Sequence, residues 1–397
     1  MRASVAPKRG HRTGRGGRVA GMGPPRDPAA AAAHPGAYDL YAELLARRPF
    51  YRDDAFWVAS SADAVTAVLT SDAFRVRPAA EPVPAALAQG PVGELYRQMI
   101  RMNDGAHHRA WRPVVAGALG LELPGAAAEC ADALAAGLSA ASAPSLVTDY
   151  CFQLPVQVVA RLLGVRAEDR PALTAWSRDL ARCIAPGATA AQVERGGAAC
   201  LQLTALLSAA VDGAGLLGAM HRAADAAGLT DPAPVVANAA AFFFQLYDAT
   251  AGLLGNTLLA LAAHPTAAIQ EAVLETLRWN APIQSTRRFA ARDAVLAGQE
   301  VRAGEAVLVL LAAANRDPAA NPDPDRFDPL REDPRVFSFG AGVHACPGRA
   351  LAVASATAGV RQLLQRGVEP RRLALDSSWM PSLNARVPLF GGPSRYQ

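Results

Sequence analysis

The sequence predicts a mainly α-helical fold with small β-sheets, and three observations carry that expectation. Pro234 to Ala263 reads as one long helix, and Ala126 to Thr230 is Ala-rich with helical patterning. The strand-like runs are short by comparison: Phe50–Arg52, Phe56–Ala59 and Val301–Ala312. With 397 residues and 51% hydrophobic content, the chain can bury a large core, as one big domain or two fused lobes.

Taken in order, Tyr38 to Ala46 is the first helix, ending before Arg47-Arg48-Pro49. The two apolar runs on either side of Asp53-Asp54 give a hairpin signal. Ser61 caps a helix over Ala62–Leu69, and Phe74–Pro78 follows. Pro82 to Gly93 is proline-rich and irregular, the composition of a mobile lid. Asn103 to Arg112 opens another helix, on which His108 and Arg112, four residues apart, share a face. Breaks are expected near Pro155, Gly164 and Pro186. Ala239 to Ala263 is apolar but interrupted by Gln245, Asp248 and Asn256, so it reads as a buried core helix rather than a membrane span. Glu275 and Arg278 lie one turn apart on one face. Gly304 splits the strand pattern of Val301–Ala312, and Asn315–Pro329 is rich in Pro and Asp. Ala350 to Leu364 is the last long helix, and Trp379–Leu383 forms a hairpin tip.

The stretch that organises the chain is Phe339-Gly340-Ala341-Gly342-Val343-His344-Ala345-Cys346-Pro347-Gly348. Gly340 and Gly342 permit a tight backbone, and Pro347 suits a first helical turn. Cys346 therefore sits at a helix N-terminus, which favours thiolate over thiol, with Phe339 placed to shield the sulfur. An isolated cysteine here is otherwise a structural one. The loop resembles the haem-ligand loop of the cytochromes P450, matched at every specified position. That resemblance implies the cytochrome P450 fold over Tyr38 to Leu389, with Cys346 as axial thiolate to the iron of haem b (heme b).

The resemblance also assigns His108, Arg112 and Arg288 to the haem propionates, with Arg287 as a possible substitute for Arg288. Phe339, Gly340, His344 and Gly348 join Cys346 in the cofactor loop. Gly105-Ala106-His107 stand where the family usually has Pro-Pro-Glu. On the long helix, Gln245-Leu246-Tyr247-Asp248-Ala249-Thr250 falls on the family's oxygen-activation pattern. Asp248 keeps the acid, whereas Ala249 replaces the threonine that in the family helps steer protons. Thr250 is one position on, turned about 100° around the helix. Proton delivery then falls to Gln245, Tyr247 or a substrate hydroxyl, or water substitutes for the lost group, or the reaction is not ordinary hydroxylation. Glu275 and Arg278 are expected to join Arg326 in a buried ion-pair network, and Pro282–Thr286, Met380 and Ser382 to face substrate.

Charge and cysteine usage bound the rest. Residues 1–35 read as a basic, disordered tail and 36–397 as a single catalytic domain. The tail lacks interleaved aromatics and the apolar core of a secretory signal, which argues against nucleic acid and export. Cys130, Cys151, Cys183, Cys200 and Cys346 form no C-x-x-C pair, which fits reduced cytoplasmic thiols. The expected function is a monooxygenase of bacterial natural-product metabolism, fed by a separate ferredoxin and ferredoxin reductase that dock near Arg349 and Arg109. An oxidative-coupling enzyme and a haem-thiolate binder without turnover are the alternatives.

Overall fold

The computed structural model describes residues 25–119 and 123–392. Its elements run α1 (Ala37–Arg47), β1 (Phe50–Arg52), β2 (Trp57–Ala59), α2 (Ala62–Thr70), β3 (Phe74–Arg75), α3 (Pro91–Gln98), α4 (Gly105–Ala118) and α5 (Leu123–Ala135). Next come α6 (Pro144–Leu162), α7 (Leu173–Cys183), α8 (Ala190–Ala209), α9 (Leu216–Ala226), α10 (Ala233–Ala263) and α11 (Ile269–Trp279). The chain closes with β4 (Thr286–Ala290), β5 (Ala294–Leu296), β6 (Gln299–Val301), β7 (Ala306–Val309), α12 (Leu311–Asn315), α13 (Arg349–Gln365), α14 (Pro370–Leu375), β8 (Ser377–Trp379) and β9 (Pro388–Phe390). The mainly helical expectation holds.

Helix α10 is the axis of the core. It packs against α6, α7, α11, α13 and α14, and most of its residues are buried, as its largely apolar sequence requires. No helix among the described residues is long and apolar enough to cross a membrane. The expected hairpin is β1–β2, antiparallel with Tyr51 opposite Val58. It joins a five-stranded sheet in the order β1-β2-β7-β4-β3, in which β2 and β7 run parallel. Ser61 caps α2 by accepting the Ala64 N–H. Cys130, Cys151, Cys183 and Cys200 are buried free thiols, and burial pushes Cys151 and Cys200 up to about 12.

Four expectations need correcting. Pro155 does not break its helix: α6 runs through it, because buried Phe152, Leu154, Val156 and Val158 hold the helix in the core against a cost of about 3 kcal/mol. The strand expected to reach Ala312 stops at Val309, and the Leu- and Ala-rich residues after it turn helical as α12. The irregular Pro82–Gly93 segment contains a 3₁₀ turn, Ala85–Leu87, and the start of α3 at Pro91. Finally, the packed body begins before residue 36. Ala31 and Ala32 are buried, and the Arg386 guanidinium donates to the carbonyls of Ala32 and His34. Residues 1–24 of the expected tail lie outside the described residues.

The expected Glu275–Arg278 pair forms, fully buried and two-pronged, at 2.9 and 2.6 Å. Arg278 also donates to the carbonyls of Asn315 (3.3 Å), Pro324 (2.8 Å) and Arg326 (2.9 Å). Arg326 enters the network through its backbone alone, since its side chain lies at the surface near Asp328. The second guanidinium beside Glu275 belongs to Arg331, at 3.7 Å. Removing either partner of the pair should cost about 3–5 kcal/mol, because it strands a buried charge. Arg331→Ala should cost about 1–3 kcal/mol and Arg326→Ala no more than about 0.5 kcal/mol in denaturant unfolding. A larger loss from Arg326→Ala than from Arg331→Ala would contradict the network.

Candidate active site

The cysteine loop is built from its own backbone. Gly340 and Gly342 adopt φ of 67° and 68°, a region that glycine enters without strain. At Gly342 a Cβ would lie 2.5 Å from the Leu69 carbonyl oxygen, so the 3₁₀ turn Gly342–His344 can seat against α2 only with glycine there. The Gly340 N–H donates to Phe337 and the Cys346 N–H to Phe339, closing the loop. Phe339 is half-buried, and the Arg349 guanidinium lies 5.6 Å from its ring centroid.

Cys346 is exposed, yet enough protein surrounds it that desolvation raises its pKa. A hydrogen bond from Gly348 and the Arg101 and Arg112 guanidiniums act in the opposite direction without reversing it. The expected thiolate is therefore not stabilised by the protein alone. The N-cap of α13 is Gly348, two residues beyond the cysteine, and its hydrogen bond to the sulfur does not offset the desolvation. A bound cationic metal would hold the thiol deprotonated.

Around this sulfur the structure gathers positive groups with few carboxylates. Arg112 donates to the Ala345 carbonyl at 2.6 Å. Arg288 is buried; its donors reach the Arg287 carbonyl and, more weakly, Thr286, and burial followed by the nearby Arg101 charge lowers it to about 10. Strand alternation puts Arg287 on the opposite, exposed face. His108 is buried, with Nε2 lacking a partner, and its ring centroid is 4.3 Å from that of His344. Burial, then His344 and Arg112, drives it down to about 4, so it is neutral at pH 7. His344 pairs with Asp104 at 2.8 Å. Desolvation opposes the Asp104 charge, but His344 and the Val76 N–H outweigh it. Arg101, in the 3₁₀ turn Ile100–Met102, was not singled out by the sequence, although an arginine beside Ile100 and Met102 is the available signal. A haem fits these residues: an exposed cysteine, an orphaned His108 nitrogen, and a buried arginine with no carboxylate bonded to it. Two propionates would complete that donor set.

Helix α10 divides its candidates between two faces. Gln245, Asp248 and Ala249 are half-buried on one side, spaced three and four residues apart. Tyr247 and Thr250 are buried on the other, with Tyr247 against Phe152 of α6 at 4.9 Å between centroids. The helical turn carries these two to a more closely packed side of α10 than Gln245, Asp248 and Ala249. Burial raises Asp248 to about 6, and the Arg182 charge on α7 offsets this in part. The tip between β8 and β9 lies against the 282–284 segment, with Gln284 N bonded to Asn384 and Arg386 N to Pro282. Met380 is buried, and Ser382 uses its hydroxyl on Ala385 of its own turn.

Residues 267–366 match the sequence model described as Cytochrome P450. The putative cytochrome P450 133B2 of Xylella fastidiosa strain 9a5c is 30% identical over 62% of this chain and 66% of its own length. The chain thus spans just under two thirds of that relative. The cytochrome P450 monooxygenase PikC of Streptomyces venezuelae is 32% identical over 87% of this chain and 88% of its own. The crystal structure of CalO2 superposes with a TM-score of 0.80 at 29% identity, covering 92% of this chain and 99% of that one. With a relative matched at this identity over nearly its whole length, and with its cysteine loop built as described, the chain belongs to the cytochrome P450 family.

Proposed function

We propose that the chain is a cytoplasmic haem-thiolate monooxygenase that oxidises a small molecule in bacterial natural-product metabolism. The observation that carries this reading is the exposed Cys346 on its glycine-turned loop, ringed by Arg112, Arg288 and His108. Bound there, haem supplies dioxygen activation. Arg112 and Arg288 hold its propionates, His108 Nε2 gains its missing partner, and Phe339 shields the sulfur.

Asp248 holds the proton. With a pKa near 6 it exchanges protons at neutral pH, and Gln245 and the side chain of residue 249 share its face. Ala249 offers no hydroxyl, so protons pass onward through Gln245, water or a hydroxyl of the substrate. That same gap favours a second reading, oxidative coupling of aromatic or peptide-like substrates, in which proton delivery matters less. Electrons come from a separate ferredoxin and its reductase. Exposed Arg349 and Arg109 supply positive charge for an acidic partner.

Three outcomes test this. The purified protein should show the red-shifted ferrous–CO Soret band of thiolate ligation, and Cys346→Ser should abolish it; a wild-type protein without that band refutes the reading. Ala249→Thr should raise hydroxylated product and coupling to reductant if the enzyme hydroxylates; no gain favours coupling. Ionising Asp248 costs stability, because its folded pKa lies above the ordinary carboxylate value. That cost grows as pH rises from about 4 to about 6 and persists above. Asp248→Asn should therefore be more stable than wild type near pH 7, by up to about 3 kcal/mol, and equal to it near pH 4 in denaturant titrations.

A further inference from the structure

We propose that Gln245 is a substrate-recognition residue whose carboxamide binds the amide group of a lactam- or peptide-type molecule, giving the enzyme a preference for neutral amides over the matching esters. This assignment rests on the haem-site reading and deepens it by naming the substrate class. From Pro234 to Leu258 every residue of α10 is buried except Gln245, Leu246, Asp248 and Ala249, which form a single patch near the middle of the helix. Other elements wrap α10 there, with α6, α7, α8, α11 and α13 all packed against it. An opening at the centre of a helix so enclosed is the wall of an interior recess, not outer surface. The desolvation felt by Asp248 on the same patch agrees with that depth.

Helix α10 carries three carboxamides, and two are spent on the fold. Asn238 is buried; it accepts the Ile100 N–H at 3.0 Å and donates to the carbonyls of Gln98 (3.2 Å) and Pro234 (2.8 Å). Asn256 is buried and donates to the carbonyls of Asn280 and Arg386, each at 3.0 Å. Gln245 lies between them, half-buried, and its side chain makes no hydrogen bond among the described residues. Its amide is not among the sealed polar groups of the core, so it reaches the recess. Helical side chains tilt toward the N-terminus, which carries this amide over the turn of Phe242 and away from Ala249. A carboxamide sets an N–H donor beside a C=O acceptor, and a lactam presents the complementary pair. A lactone accepts one bond and leaves the Gln245 oxygen unpaired. The charges nearby select a neutral guest: Asp248 on the same patch, with a pKa near 6, opposes an anion at pH 7, and the Arg182 charge that acts on it opposes a cation. Phe242 and Leu246 flank the carboxamide on the helix, so the amide it fits is carried on an apolar body.

The experiment is a spin-state titration of the ferric holoprotein with a series of phenyl-substituted δ-lactams, each beside its lactone and its N-methyl lactam. Haem content and the ferrous–CO spectrum are measured in parallel. In wild type the best lactam should bind about five- to tenfold tighter than its lactone, and N-methylation should remove that margin. Gln245→Met, close in volume but without the carboxamide, should bind lactam and lactone alike, with unchanged haem content. Equal binding of lactam and lactone by wild type, or no shift with any lactam, overturns the proposal. So does a Gln245→Met protein that keeps the lactam preference while losing coupling of reductant to product, which would confine Gln245 to proton transfer. A wild-type protein without a thiolate spectrum instead overturns the haem reading beneath it.

Discussion

The placement of the cysteine loop depends on one buried ion pair. Glu275 and Arg278 lie on α11, and the free prong of Arg278 collects carbonyls from Asn315 and Pro324 while Nη2, bonded to Glu275, also reaches that of Arg326. Asn315 passes the constraint on: its amide donates to Leu277 and to Ser338, and its side-chain oxygen accepts the Phe337 N–H. The irregular run between α12 and Phe339 therefore has both ends fixed to α11. Its many prolines and turns cannot supply a regular ladder of backbone bonds, so a buried guanidinium and two asparagines, the second being Asn321, do so instead. A buried pair of this kind adds little net stability over an apolar substitute, but it selects one geometry. The geometry selected is the one that presents Cys346.

A second constraint is electrostatic. The Arg101 and Arg112 charges act on Cys346 and the Arg101 charge on Arg288, while Asp104, the carboxylate that acts on Arg288, is already paired with His344. Burying guanidiniums without counter-ions is unfavourable, as the lowered pKa of Arg288 records. The same positive field draws the Cys346 thiol toward ionisation, although desolvation still prevails. Both imbalances are relieved by one kind of guest: a metal for the sulfur, carrying anionic arms for the arginines. The protein is thus shaped as half of a complex.

What the sequence makes legible is what is local. The glycines of the cysteine loop, Ser61 ahead of α2 and the apolar length of α10 each act within a few residues, and each appears where expected. What it hides is long-range partnership. Spacing along the chain could not reveal that Arg331 rather than Arg326 approaches Glu275, since both follow the same proline-rich run. Composition assigned Ala31 and Ala32 to a tail, but Arg386, more than 350 residues away, ties their neighbourhood to the core. Pro155 shows the same limit from the other side, because its local cost is outweighed by packing that only the folded state supplies.

The long helix joins the local and the distant. A motif read as a string treats residues 245 to 250 as one catalytic block, but a helix at 3.6 residues per turn distributes them around its circumference. Gln245, Asp248 and Ala249 share a half-buried side, whereas Tyr247 meets Phe152 and Thr250 sinks into the core. The hydroxyl one position from Ala249 is thus not a displaced substitute for the missing threonine. It is fully buried, one helical step round from the half-buried Ala249. In the proposed reading the acid works beside a bare methyl group, and whatever completes proton transfer comes from Gln245, from water or from the substrate itself.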